Sequence, residues 1–212
     1  MNISKATIAA VLTGDIVNST KLLSEQEEVL FRRLRQDVLK AYPHEIYRGD
    51  SFQALVEKPQ EALAVALGCR ALAIQFSETA VMDFDMRMSI GIGKVSLPIS
   101  DLGTAKGDAF LLSGRLFDTL KETGRRLIIG AGDRKADIGF EIMSDYLDSI
   151  FGKMTAKQAE VIVELLNGNA QQQLSTTLNK SKSTISQLAA DGGWSEIDRL
   201  LQQYNDLIAQ LS

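Results

Sequence analysis

Residues 6–20 read ATIAAVLTGDIVNST. The stretch from Ala6 to Thr13 is a near-continuous apolar run with β-branched residues, and Gly14-Asp15 closes it after the length of a strand rather than of a helix. Unbroken rather than alternating apolar character predicts a strand buried on both faces. The aspartate that follows puts a carboxylate at one end of the sheet.

Outward from this strand, helical and extended patterns alternate. Ser24 with Glu27 three residues on makes a capping-box pattern, and Val29, Leu30, Leu34, Val38 and Leu39 recur at helical spacing up to Pro43. Residues 45–48 and 51–56 are strand-like and flank Gly49-Asp50, a two-residue hairpin signal that sets Asp50 at the tip. Gln60 to Phe76 predicts an amphipathic helix, and Phe84, Met86, Met88, Ile90 and Ile92 alternate as one face of a strand does. Residues 98–106 read as a flexible connection, Ala109 to Leu120 as a helix, Arg126 to Ile129 as a short strand, and 133–150 as a helix interrupted at Gly139. The order predicts an α+β fold, a ferredoxin-like antiparallel sheet with helices packed on it. From Met154 on there are only helical segments, separated by Gly168-Asn169, Asn179-Lys180 and Gly192-Gly193. Two domains are expected, 1–151 and a small all-α unit at 152–212.

Composition narrows the function. At 212 residues, with ordinary apolar content, the chain can bury a core without staples. The single cysteine, Cys69, excludes an internal disulfide and reads as a small buried apolar residue. The N-terminal apolar run lacks a small-residue cleavage pattern and is broken by Asp15 before it reaches membrane-spanning length, so a cytoplasmic protein with no membrane partner is expected. A net charge of -4 supplies no global basic field for nucleic acid, which leaves only a local surface for that task.

Asp15 and Asp50 are the constellation that carries chemistry. If their strands are neighbours, the two carboxylates converge at one sheet end, and paired hard oxygen ligands with room for phosphate oxygens suit Mg²⁺ or Mn²⁺. Here the residues carry a resemblance. Residues 12–20, LTGDIVNST, and 46–52, IYRGDSF, resemble the two metal-aspartate motifs of class III nucleotidyl cyclases; 88–95, MSIGIGKV, is similar to the strand that follows, and 107–116, GDAFLLSGRL, to the catalytic helix. Within that class the chain looks like the SatD-type group of cyclase-like proteins. The resemblance implies that Asp15 and Asp50, with the backbone of Ile16, hold the metal of a nucleotide or other phosphorylated ligand. It also implies that Arg115 binds the nucleotide and stabilises charge on the transferring phosphoryl group. The alternative for Arg115 is a surface ion pair with Asp118.

Three positions depart from the cyclase pattern. Leu111 stands where a ribose-orienting asparagine is usual, Ile46 where a purine-selecting lysine is, and Thr104 near the place of the partner carboxylate. The metal half of the pattern survives, while the base- and ribose-reading half does not. Gly91-Ile92-Gly93-Lys94 lacks full phosphate-loop spacing and reads as a strand, and His44, the only histidine, supports neither a zinc site nor a catalytic triad.

The tail resembles the helix-turn-helix of LuxR-type regulators and sigma-factor region four, in the runs 154–161, MTAKQAEV, and 178–186, LNKSKSTIS. Such a fold sets its third helix, capped by Ser181 or Ser183, in the major groove, with Lys180, Lys182, Ser183, Thr184, Ser186 and Gln187 as the DNA-contacting candidates. Charge opposes this: Lys153, Lys157, Lys180, Lys182 and Arg199 are outnumbered by Glu160, Glu164, Asp191, Glu196, Asp198 and Asp206. The sequence thus predicts a DNA-binding regulatory homodimer with a metal- and nucleotide-binding sensor domain. Two alternatives remain: a divalent-metal-dependent nucleotidyl cyclase, or other phosphoryl-transfer enzyme, whose tail serves assembly, and a degenerate cyclase fold used as a dimerisation scaffold.

Overall fold

β1 runs from Lys5 to Val17, past the expected stop at Gly14-Asp15. In the computed structural model, which describes residues 5–47, 50–77, 84–99 and 101–211, Gly14 does not turn the chain. It makes room instead: a Cβ there would lie 2.6 Å from Met88 Sδ and 2.8 Å from Phe52 Cε1, side chains of the two flanking strands. The strand can therefore continue and deliver Asp15 while still paired on both sides.

Five strands form one sheet in the order β2-β3-β1-β4-β5, with β2 at His44–Ile46, β3 at Ser51–Val56, β4 at Asp85–Leu97 and β5 at Leu127–Gly130. Every neighbouring pair is antiparallel except β4 and β5, which run parallel. A wholly antiparallel sheet was expected. The difference comes from the helix between those strands, α3 (Asp108–Thr123), which serves as a crossover, the connection a parallel pair requires. Arg48 and Gly49 of the expected hairpin turn lie outside the described residues.

Alternation along β1 assigns the two faces. Ala10, Leu12 and Ile16 join a large core with α1 (Ser24–Arg33), α2 (Ala62–Ile74) and α4 (Arg134–Phe151), whereas Ala9 and Val11 meet Leu55, Val95 and Phe110 beneath α3. The cap of α1 sits one residue earlier than the Ser24/Glu27 pattern predicts, since Leu23 N donates to Gln26 Oε1 at 3.1 Å. α4 is continuous through Gly139, where Leu207 of a neighbouring helix packs closely against the backbone: a Cβ would lie 3.2 Å from Leu207 Cδ1.

Helices continue to the end: α5 (Ala156–Leu166), α6 (Gln171–Thr177), α7 (Lys182–Asp191) and α8 (Trp194–Gln210). Thr155 and Gln158 form a reciprocal capping box at α5, and Ser181 Oγ accepts from Thr184 N at 3.1 Å to cap α7. α5 packs on the side of α2 away from the sheet, so α2 is buried almost all round instead of showing the expected polar face. One apolar core runs from the sheet through α2 into these helices, and the buried Tyr204 of α8 donates its hydroxyl to the Pro59 carbonyl at 2.8 Å. Among the described residues no helix is long and apolar enough to cross a membrane.

A buried ion cluster ties the layers together. Arg70 of α2, fully buried, holds Asp85 of β4 through Nε (3.0 Å) and Nη2 (2.7 Å) and reaches Asp148 of α4 through Nη1 (2.6 Å), with the Phe151 ring 4.8 Å away. Asp148 in turn accepts from Arg126 N at the start of β5 at 2.9 Å. Burial works against the charged guanidinium, but Asp85 and then Asp148 outweigh it and raise its pKa.

Candidate functional site

The pairing of β1 with β3 brings Asp15 opposite Ser51, next to Asp50, and Ile16 N donates to the Asp50 carbonyl at 3.1 Å. The two aspartates therefore meet at one end of the sheet. The β1–β4 register sets Arg87 directly opposite Asp15, and its guanidinium grips that carboxylate with both prongs, Nε to Oδ1 at 2.8 Å and Nη2 to Oδ2 at 2.7 Å. Asp15 is only 6% exposed. Burial raises its pKa above the ordinary carboxylate value; the bond and charge of Arg87 oppose that rise, the Asp50 charge adds to it, and Lys121 lowers it again. Lys121 comes from the last turns of α3, its Nζ 4.7 Å above the Phe117 ring.

Beneath α3 a hydroxyl cluster continues the same strand face. Thr13 Oγ1 and Ser113 Oγ are 2.8 Å apart, Ser89 Oγ donates to the Ser113 carbonyl at 2.9 Å, and Gln53 Nε2 reaches Thr13 Oγ1 at 3.4 Å. Gly91 lets α3 come this close, for a Cβ there would lie 2.4 Å from Ser113 N. The sheet end thus presents two carboxylates, two cations and several hydroxyls on one side.

Chemically, this donor set is selective. Among the described residues no group of three or more His, Cys, Asp or Glu side chains could hold a metal ion. Two carboxylates nevertheless match Mg²⁺, which is commonly bound through one or two carboxylates together with substrate phosphates. The residues fit an ion that arrives with phosphate oxygens better than a resident one, because Arg87 already neutralises Asp15.

Arg115 stands apart from this group. On α3 the residues Ala109, Ser113, Phe117 and Leu120 face inward, and Arg115 is exposed with no ion pair to Asp118 among the described residues. Lys121, not Arg115, is the α3 cation whose charge reaches Asp15. Leu111 is 59% exposed, Ile46 packs against the main core, and the Thr104 hydroxyl donates to Asp101 Oδ2 at 2.9 Å. Gly91 to Lys94 lie within β4 as expected, and His44 Nδ1 is 2.9 Å from the Tyr42 carbonyl. Arg87 and Lys121 escape a reading by motif: Arg87 sits one residue before a recognisable run, and only the strand register reveals what it faces.

In the tail, Lys182, Ser183, Thr184, Ser186 and Gln187 are all exposed on α7. Lys180 is held by Glu160 at 2.6 Å and Gln187 Nε2 by Asp191 Oδ1 at 2.8 Å, while Ser181, Ser183 and Thr184 bond one another around the cap. Four of the six candidate contacts, Lys180, Ser183, Thr184 and Gln187, are therefore already engaged within the chain.

No protein-family model matches the chain. No curated protein matches it either. Solved structures similar to it include a bacterial light-regulated adenylyl cyclase (15% identity, TM-score 0.43, covering 60% of this chain and 44% of that one). Others are the catalytic core of a rhodopsin-guanylyl cyclase with converted specificity, in complex with ATPαS (19%, 0.41, 56% and 76%), and the active GGEEF domain of a diguanylate cyclase from Vibrio cholerae (14%, 0.39, 60% and 85%). The chain thus spans less than half the length of the first of these. The neighbours are adenylyl, guanylyl and diguanylate cyclase domains, at a likeness that leaves function to be read from the site itself.

Proposed function

We propose that the chain binds a nucleotide or other polyphosphate together with Mg²⁺ or Mn²⁺ at the Asp15–Asp50 end of the sheet, in the manner of a nucleotidyl cyclase-like domain. The observation that carries this is the convergence of two carboxylates with Arg87 and Lys121 at the end of β1. Asp15 and Asp50 would hold the ion, which supplies neutralisation of phosphate charge. Arg87 and Lys121 add fixed positive charge, and Arg87 holds Asp15 in place until the ion shares it. Arg115 has no part in a site built from one protomer; a role at the phosphates requires it to come from a second copy. With Leu111 exposed and Ile46 partly buried against the core, no polar group at these positions orients base or ribose, so slow turnover is expected of the cyclase reading.

The test is equilibrium binding of ATP and GTP with Mn²⁺, alongside a turnover assay. Asp15→Asn and Asp50→Asn should each weaken Mn²⁺-dependent binding by tenfold or more, about 1.4 kcal/mol, with the fold retained by circular dichroism. Wild-type binding in both variants sinks the site. Cyclic nucleotide formation at about 1 per second or faster would make the chain an efficient enzyme.

A second reading, a helix-turn-helix contacting DNA through α6 and α7 and making the chain a transcription regulator, is favoured by one observation: α7 exposes Lys182, Ser183, Thr184 and Ser186. The engagement of Lys180 by Glu160 predicts weak binding with a shallow salt dependence, because few phosphates are neutralised. Because the tail shares its core with the sheet, point variants are the proper probe. Lys182→Ala should weaken binding to every duplex alike, and a selection from random duplexes that enriches no motif removes the reading.

A further inference from the structure

α4 and α8 pack antiparallel: Gly139 faces Leu207, the Phe140 and Tyr204 rings lie 5.7 Å apart, and Ile150 meets Gly193. Between them runs a groove of about 540 Å³ floored by Met143, Leu200 and Leu207. Its α4 wall carries Ile142 (67% exposed) and Tyr146 (44%), and Ile138 (53%) extends the same stripe one turn further. Three of the six large apolar side chains exposed among the described residues are in this one row, a concentration that marks an interaction surface. The α8 wall carries Arg199 and Asp206, two turns and about 10 Å apart, too far to pair with each other. Among the described residues neither has an ion-pair partner.

We infer that this face binds a second copy of the same chain about a two-fold axis. A two-fold contact requires a patch complementary to itself, so that residue i meets j and j meets i. Arg199 and Asp206 satisfy this about a centre between Gln202 and Gln203, each meeting the other's counterpart in an antiparallel α8 pair. Ile138 and Tyr146 satisfy it about Ile142. The helix contacts set Ile142 level with residues 201–204 of α8, so the two centres coincide to within about one and a half residues, roughly 2 Å along the axis. An apolar stripe and a charge pair that share one symmetry centre fit a copy of the chain better than an unrelated partner, which has no need of such symmetry. This face lies across the sheet from α3, so it is distinct from any contact that would bring Arg115 to a second copy's aspartates.

Sedimentation and cysteine cross-linking of the full chain test the inference. Cys69 is fully buried and does not compete. Ile142→Cys, on the axis, should form a disulfide-linked dimer under mild oxidation, whereas Leu23→Cys, equally open to solvent but at the start of α1, should not. Arg199→Asp or Asp206→Arg alone should raise the dimer dissociation constant about tenfold or more, and the double reversal should restore it to near the wild-type value. A wild-type chain that remains monomeric at about 100 µM, single reversals without effect, or equal cross-linking at positions 142 and 23 would each overturn it.

Discussion

Arg70→Met should lower the unfolding free energy by about 3–5 kcal/mol, the cost of breaking a buried ion pair by removing one partner. The substitution keeps most of the side-chain volume and removes the charge. Asp85, 1% exposed, then loses both bonds of its bidentate partner and, among the described residues, keeps only the Met86 amide at 2.7 Å, while Asp148 retains the Arg126 amide. For a chain of this length the melting midpoint should fall on the order of 10 °C. Arg70→Met with Asp85→Leu should recover much of the loss, since no uncompensated carboxylate is left, and denaturant titration of the two variants measures the difference. Equal stability of Arg70→Met and wild type would mean that the cluster contributes nothing net. The cluster also joins α2, β4 and α4, the elements that carry Arg87 and lie under the groove, so its loss should loosen both the sheet end and the α4–α8 face.

The sheet and its helices were legible because period-2 and period-3.6 patterns are local: β1, β3, β4, α2, α5 and α8 lie where apolar spacing puts them, within about five residues, whereas α1 ends at Arg33, short of the expected Pro43. What local pattern cannot encode is a neighbour. Gly14 reads as a strand terminator until Phe52 and Met88 are seen beside it, and Gly139 reads as a helix break until Leu207 fills its face. The polar face expected of α2 is absent for the same reason, because α5 covers it from ninety residues away in sequence. Asp15 and Asp50 were legible as a pair since a hairpin and an adjacent strand predict their meeting. Arg87 was not, because its partner follows from the register of β4 against β1, and shifting that register by one residue would turn the arginine to the other face.

Gly91→Ala should be among the most damaging single-methyl changes in the chain, and Gly114→Ala, on the helix that Gly91 supports, should be stabilising. At Gly91 the added Cβ would lie 2.4 Å from Ser113 N, 2.5 Å from the Ala109 carbonyl and 2.9 Å from Ser113 Cα. These are backbone atoms of α3, which cannot rotate away as a flexible side chain can. The helix has to rise from β4, and such overpacking costs about 3 kcal/mol at the upper end of the usual range. At Gly114 nothing lies within 4 Å of the added methyl, and replacing glycine by alanine inside a helix gains about 0.5–1 kcal/mol. The two variants differ by one methyl group each and should move the urea midpoint in opposite directions. Function separates them further. α3 carries Ser113, which bonds Thr13 and Ser89, and Lys121, whose charge reaches Asp15, so lifting the helix at Gly91 disturbs the carboxylate site from behind. Mn²⁺-dependent nucleotide binding should therefore weaken in Gly91→Ala even below its unfolding midpoint and stay at the wild-type level in Gly114→Ala. A Gly91→Ala protein with wild-type stability and binding would show that α3 is free to shift on the sheet, and the close seating of that helix would then have no part in building the site.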